Sequence, residues 1–344
     1  MLISKRHFLA SVLAACLAAL CVAQADEAFR LGPHYWPTPN PKFLQTGSME
    51  GVLQPTVSGE LSSGLFGCVR NDGHRFHEGL DLRPIARDKR NESIDPIYAF
   101  DDGVVRYVNR VAGNSGYGRY MVIEHAQIAP GLVTLYAHLR SVPESIHAGV
   151  SVKGGQKIAV MGRSAGGYSI PRSRAHLHFE VGFWLGPNFQ AWYDKQPFGS
   201  ENEHGAYNGM NIVGLDGWEL CGALRRGQAE DVWQFIMSEQ IAVEAYVRDT
   251  AIPDLLEVNP HLMANVRLPD DHAGWLIELT WYGLPTRFRA LTSLEMEGKD
   301  RWLTARALRP DLLEGKYCMD LARDDLFGGA GARLTSLINR MFVR

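Results

Sequence analysis

His176-Leu177-His178-Phe179-Glu180-Val181-Gly182-Phe183 decides how this chain is to be read. Leu177, Phe179, Val181 and Phe183 alternate with His176, His178 and Glu180. A period of two belongs to a strand with one apolar and one polar face, so the two imidazoles are delivered side by side; in a helix they would diverge by about 200°. Working outward, Leu132 to Leu139 has the same texture. Val133, Leu135, Ala137 and Leu139 share one face, and Thr134, Tyr136 and His138 share the other. Tyr98 to Val108 reads as a hairpin turning at Asp101-Asp102-Gly103. From about 51 to 185 the chain is a succession of short alternating runs separated by Gly-rich turns, with no long helical pattern between them. The expectation is a mainly β domain built on an antiparallel sheet.

A second histidine-bearing stretch precedes these strands. His77-Glu78-Gly79-Leu80-Asp81 superficially matches the start of a helical His-Glu-x-x-His motif, but its fifth residue is Asp, Gly79 disfavours a helix and Pro84 follows closely. Read as extended chain, His77 and Asp81 lie on one face and Glu78 points away from it, a poor position for a catalytic base. Imidazole nitrogen and carboxylate oxygen are both zinc ligands, and a catalytic zinc takes three protein ligands with a fourth position left for water. His77, Asp81 and His178 supply that number. His138 and His176 remain for proton transfer and for stabilising developing charge, and either could be the general base.

These segments, in order, are Ser63-Gly64-Leu65-Phe66-Gly67, His77-x-Gly-x-Asp81, Ala99-x-x-x-Gly103-Val104-Val105, Gly116-Tyr117-Gly118 with Val122-Ile123-Glu124-His125, Leu135-Tyr136-Ala137-His138-Leu139 and His176-Leu177-His178-Phe179-Glu180-Val181. Together they resemble the lysostaphin and LytM-like family of zinc peptidoglycan endopeptidases, over roughly residues 51 to 185. The resemblance implies a duplicated hybrid motif fold, zinc held by His77, Asp81 and His178, and His138 and His176 as catalytic groups. It also implies hydrolysis of a peptide bond in the stem or cross-bridge of peptidoglycan. The rival from another class is a non-catalytic wall-binding regulator of a separate amidase, whose signature would be lost ligands; all five expected residues are present. Residues 85 to 95 and Gly167 to Arg174 lengthen two loops relative to the family, both expected near the groove. Tyr136, sharing the face of His138, is a candidate substrate contact. His125 is expected to support its strand, His74 and His204 to be surface polar residues, and Glu180 to orient a histidine or to sit solvated at an edge.

The flanks set the context. Lys5, Arg6 and His7, the apolar run Phe8 to Val22 and Ala23-Gln24-Ala25 read as an export signal occupying residues 1–25, too short to span a bilayer, so the mature protein is expected in the periplasm or secreted with no membrane span. Residues 26–50, with Pro33, Pro37, Pro39 and Pro41, read as an extended arm lying across the next domain. Residues 51–218 form the expected metalloendopeptidase domain with trailing aromatic-rich loops. From 219 to 344 the texture changes to an α+β module, with Ile241 to Val247 and Trp275 to Trp281 alternating as strands, Gln228 to Gln240 read as a helix, and helical spacing of Leu334, Leu337, Ile338 and Met341. This module is the expected site for a protein partner. The composition, 46% apolar and 21% charged, excludes a disordered chain, and a net charge of −3 gives no reason to expect nucleic acid. Three cysteines lie beyond the leader, Cys68, Cys221 and Cys318, which allow one disulfide in any of three pairings.

Overall fold

The computed structural model describes residues 29–322 and 328–343, and the leader read from residues 1–25 lies outside them. In chain order the strands are β1 (Arg30–Leu31), β2 (His34–Tyr35), β3 (Gly67–Arg70), β4 (Arg75–His77), β5 (Leu80–Leu82), β6 (Pro96–Tyr98), β7 (Gly103–Asn109), β8 (Tyr120–Glu124), β9 (Leu132–Ala137), β10 (Ser151–Val152), β11 (Lys157–Val160), β12 (Leu177–Trp184), β13 (Ile212–Gly214), β14 (Val243–Val247), β15 (His272–Leu279), β16 (Pro285–Thr292), β17 (Leu303–Ala307) and β18 (Gly328–Gly329). The helices are short: α1 (Lys42–Thr46), α2 (Phe189–Tyr193), α3 (Gly217–Arg225), α4 (Val232–Ser238), α5 (Asp254–Val258), α6 (Pro310–Leu313) and α7 (Ala332–Met341). The architecture is mainly β with an added α+β module, as the alternation requires.

The central sheet is antiparallel, in the order β10-β7-β8-β9-β12-β13, and β5 joins it beside the first half of β12. Its two faces bury different partners. Below, Leu177, Phe179, Val181, Phe183 and Tyr136 enter the main core with Trp36, Leu80 and Phe100. Above, Val122, Val133, Leu135 and Ala137 pack under Tyr117, Trp184 and Tyr207. The shared register places His178 opposite Asp81 on β5 and opposite Ala137 on β9. Pairing across β12 therefore joins two histidine-bearing stretches almost a hundred residues apart in sequence.

Several local expectations change. Tyr98 and Val108 do not form one hairpin: β6 pairs with β11, whereas β7 pairs with β8 and β10. The Asp101-Asp102 corner is instead held by long-range partners. His34 pairs with Asp101 at 2.5 Å, and Asp102 accepts from Lys153 Nζ and the Gly154 amide at 2.6 and 2.8 Å. The arm crosses this region through backbone bonds from Tyr35 to Phe100 and from Tyr98 to Pro37, but it is not wholly extended, because α1 buries Phe43 against Trp36 with ring centres 4.4 Å apart.

The boundary expected at 218/219 falls inside α3, which is capped by the Asp216 side chain and packs beside β12. Beyond it, a five-stranded sheet in the order β16-β15-β14-β17-β18 forms the second layer. In α7, Leu334, Leu337, Ile338 and Met341 are all buried, as their spacing predicts. Cys68 on β3 is disulfide-bonded to Cys318, 250 residues later, and Cys221 is free and buried, with burial pushing its thiol up. Of the three pairings open to the sequence, the one formed ties the module to the hairpin that leads into His77.

Candidate metal centre

β4 ends at His77, β5 carries Asp81 and β12 carries His178, and all three side chains are buried. Asp81 Oδ1 lies 3.1 Å from His77 Nε2 and 3.0 Å from His178 Nδ1, and these two nitrogens are 3.1 Å apart. The three donor atoms can thus share one ion. The other nitrogen of each ring is already committed. His77 Nδ1 donates to the Leu65 carbonyl at 2.6 Å, and His178 Nε2 donates to Glu180 Oε1 at 2.8 Å. With an oxygen acceptor on each of these nitrogens, the hydrogen sits on the ring atom away from the centre and a lone pair points into it. Two nitrogen lone pairs facing each other at 3.1 Å beside a carboxylate repel unless a cation lies among them. The donor set fits zinc: two imidazoles, one carboxylate and an opening to the cavity.

The electrostatics agree. Burial works against charge on His178, but Asp81 and Glu180 outweigh it and raise its pKa to about 10. Burial likewise opposes charge on Asp81, yet His176, His77 and His178 hold its carboxyl well below the usual range. The centre favours a positive charge at the histidine nitrogens, whether proton or metal ion.

His138 and His176 stand at the edge of this triad, with ring centres 4.7 Å apart, and His176 Nε2 is 3.5 Å from Asp81 Oδ1. Their Nδ1 atoms donate to the carbonyls of Ser164 and Arg174, each at 2.8 Å, leaving Nε2 as the acceptor. Burial first, and neighbouring imidazoles with it, holds His138 well below its ordinary value; burial does the same to His176. Both rings are neutral at pH 7 and able to accept a proton. His138 reaches this position by leaving the strand: β9 ends at Ala137, and His138 has a left-handed φ of 59°.

That break in alternation corrects the expectation for Tyr136. It does not share the face of His138; its ring is fully buried against Phe179, its hydroxyl accepts from the Phe100 amide at 2.8 Å, and it does not line the cavity. The tyrosines that do line the cavity include Tyr117 and Tyr168. Tyr117 donates to Glu180 Oε1 at 2.6 Å, the same oxygen that receives His178, so Glu180 orients a histidine rather than standing solvated. Burial and then Glu180 raise the Tyr117 phenol well above its ordinary value, keeping it protonated as that donor. A second residue missed by strand reasoning is Arg70, whose Nη2 contacts Asp81 Oδ2 at 2.6 Å while its Nε donates to the Ser63 carbonyl at 3.0 Å. Its signal in the sequence is faint: a basic residue seven positions before His77, brought across by the irregular β3–β4 pairing.

His204 is also corrected. It is buried, accepts or donates at 2.8 Å to Tyr107 Oη, and lines the same cavity, because the trailing loop folds back over the sheet. His125 is structural as expected, held between the Asp102 carbonyl and Thr134 Oγ1, and His74 is exposed against Tyr317. Glu78 is exposed at the cavity rim. The two lengthened loops meet through Glu92, which receives Arg172 at 2.7 Å and also Arg163, just before the second loop, through two bonds at 2.9 Å. The cavity itself measures about 1020 Å³. No helix among the described residues is long and apolar enough to cross a membrane.

Comparison with known proteins follows the same stretch of chain. The model of peptidase family M23 matches residues 75–187. The uncharacterised lipoprotein YgeR of Escherichia coli (strain K12) is 37% identical over 103 residues, covering 27% of this chain and 35% of that protein. Among solved structures, a zinc-containing peptidase from Vibrio cholerae is 34% identical over 31% of this chain and 26% of that one, with a TM-score of 0.23. The catalytic domain of the antimicrobial peptidase lysostaphin from Staphylococcus simulans is 18% identical over 46% of this chain and 89% of its own, with a TM-score of 0.29. The chain thus spans about a third of the curated relative and about a quarter of the Vibrio peptidase.

Proposed function

We propose that this chain, whose residues 75–187 match the model of peptidase family M23, is an exported zinc metalloendopeptidase that hydrolyses a peptide bond in peptidoglycan. His77, Asp81 and His178 are the metal ligands in this reading, and His138 and His176 are the catalytic groups. The observation that carries it is the convergence of three donor atoms whose opposite ring nitrogens are already occupied, at the floor of an open cavity. His77, Asp81 and His178 would hold a zinc ion there, which when bound would supply a water of lowered pKa and polarisation of the substrate carbonyl. The chain's own residues do the rest. His138 and His176, fixed through Nδ1, offer Nε2 to take a proton from the attacking water and to return one to the leaving amine. Glu180, held by Tyr117, fixes the ring of His178, and Arg70 fixes the far oxygen of Asp81.

The arm packs on the catalytic unit, and the module that follows α3 is read as part of the substrate groove. The test is to incubate the purified mature protein with isolated peptidoglycan, with and without a zinc chelator, and to identify released fragments by mass. Chelator-sensitive release of peptide-cleaved fragments is expected. Intact wall alongside stoichiometric bound zinc would overturn the enzyme reading in favour of a wall-binding regulator.

A further inference from the structure

The cavity above the metal centre is not closed by the catalytic unit alone. Tyr282, Gly283, Met319 and one face of α7 form part of its lining, so the C-terminal module supplies a wall of the groove. Three contacts fix that wall in place. Cys318 is bonded to Cys68, the Cys318 amide donates to the Gly73 carbonyl at 3.0 Å, and Phe66 meets Tyr282 edge to face with ring centres 5.2 Å apart. All three grip the β3–β4 hairpin or the turn before it, the segment that delivers Arg70 and His77.

Two guanidinium groups of α7, Arg333 and Arg340, line the same cavity as the metal-site histidines. Arg340 is half-buried. Its Nε donates to the Ser336 carbonyl at 3.3 Å, its Nη1 donates to the Met210 carbonyl, and its guanidinium carbon sits 5.7 Å from the centre of the Trp192 ring. These neutral partners orient the group but leave its charge uncompensated. Arg333 is exposed to the cavity, and neither arginine has a carboxylate ion-pair partner among the described residues. Burial, and then the charge of Arg333 nearby, lowers the Arg340 guanidinium to about 10. Two like charges placed in one partly desolvated space repel, and an anion received there relieves both the repulsion and the lost solvation. Glu201 and Glu203 line the same cavity and carry the same sign as such an anion, so its place is at the arginines.

We propose that Arg333 and Arg340 form a carboxylate-binding subsite, so that the peptide accepted in the groove carries a free carboxylate remote from the bond that is cut. This rests on the peptidase reading and deepens it: the substrate is an acidic stem peptide and not a neutral glycine bridge. The cavity, of about 1020 Å³, lies at the top of the ~300–1,000 Å³ range of small-ligand pockets, as a peptide segment reaching from the metal to α7 requires.

The test uses the zinc-loaded mature protein and two synthetic stem-type peptides that differ only in one remote group, carboxylate or carboxamide. The carboxylate peptide is expected to have a kcat/KM about tenfold or more above the carboxamide. In Arg333→Gln, exposed and so tolerated by the fold, the ratio should fall to about one, and Arg333→Lys should restore part of it. Equal rates for both peptides in the wild type, or a ratio unchanged in Arg333→Gln, would overturn the subsite while leaving the peptidase reading intact. If neither peptide is cut, that reading fails, and equilibrium binding of the same two peptides decides the subsite. Preference for the carboxylate that vanishes in Arg333→Gln supports it, and equal affinities refute it.

Discussion

The two large sheets bury different chemistry. At and beside the sheet organised around β12, the buried residues include Asp81, His178 and Glu180 on its strands, His77 at the end of β4 and His138 just after β9, each satisfied by a specific partner. In the sheet built from β14 to β18, the buried strand residues are apolar or threonine, as with Val243, Trp275, Ile277 and Phe288. Its charged strand residues, Glu244, Glu278, Arg287, Arg289 and Arg306, remain partly or fully exposed. Burying an ionisable group is costly unless it is paired, so a region that gathers these groups in one place is shaped by chemistry, whereas the other is shaped by packing. The second sheet reaches function indirectly, by carrying α7 to the groove.

The sharpest way to break this contrast is at the ligands. Asp81→Ala or His178→Ala should lose bound metal and lower activity by ~10³-fold or more, whereas His138→Ala should retain metal and still lose ~10²–10⁴-fold. Metal content by elemental analysis beside the rate separates the two, and full zinc occupancy in Asp81→Ala would remove Asp81 from the ligand set. Next in size is the contrast between two tyrosines. Tyr117→Phe frees Glu180 from its donor and should weaken metal binding, as should Glu180→Gln, by ~10–100-fold. Tyr136→Phe should leave metal affinity unchanged and cost about 1–3 kcal/mol in denaturant unfolding, because the buried Phe100 amide loses its acceptor. Equal effects on metal affinity would mean that the two tyrosines are not divided by the sheet.

Removing the tie between the regions should act more gently. The double change of Cys68 and Cys318 to Ser is expected to lower stability by about 2–4 kcal/mol, since it frees a closure 250 residues long. It should also raise KM more than it lowers kcat, because it loosens a wall and not the ligands. A purely proportional loss of kcat would place the effect at the metal centre instead. Smallest is the loop clamp. Arg163, then Arg172, depress the Glu92 carboxyl from 4.5 to about 2. A depressed acid stabilises the fold at pH values above its unfolded pKa and loses that contribution as pH falls towards the folded one. The wild type should therefore melt about 1–3 °C above Glu92→Gln at pH 7, with the gap closing between pH 4.5 and 2. A gap that persists at pH 2 would show that the two loops hold together without this carboxylate.

The legible parts of the molecule share one property: they are written in neighbouring residues. The period of two in 176–183 fixes which side chains face together, and the helical spacing in 334–341 fixes the buried stripe of α7, because both follow from backbone geometry within one element. The histidines and the aspartate of the centre were recognisable for the same reason, each standing in a short pattern of its own. Where one residue leaves the regular backbone, the inference stops. His138 takes a left-handed conformation, and from that single turn the shared face with Tyr136 is lost. The hairpin read at Asp101-Asp102-Gly103 failed because its partners, His34, Lys153 and Gly154, come from elsewhere in the chain.

By itself, the sequence determined the mainly β character, the residue types and spacing of a candidate metal site, and an α+β texture after the β domain. Tertiary structure alone decided that Asp81 lies opposite His178, that Arg70 and Tyr117 brace the site, that Cys68 is bonded to Cys318, and that α7 forms part of the groove. The physical reason is range: periodicity and turn chemistry act over a few residues, whereas register between strands and the packing of one layer on another are settled by contacts across the whole chain.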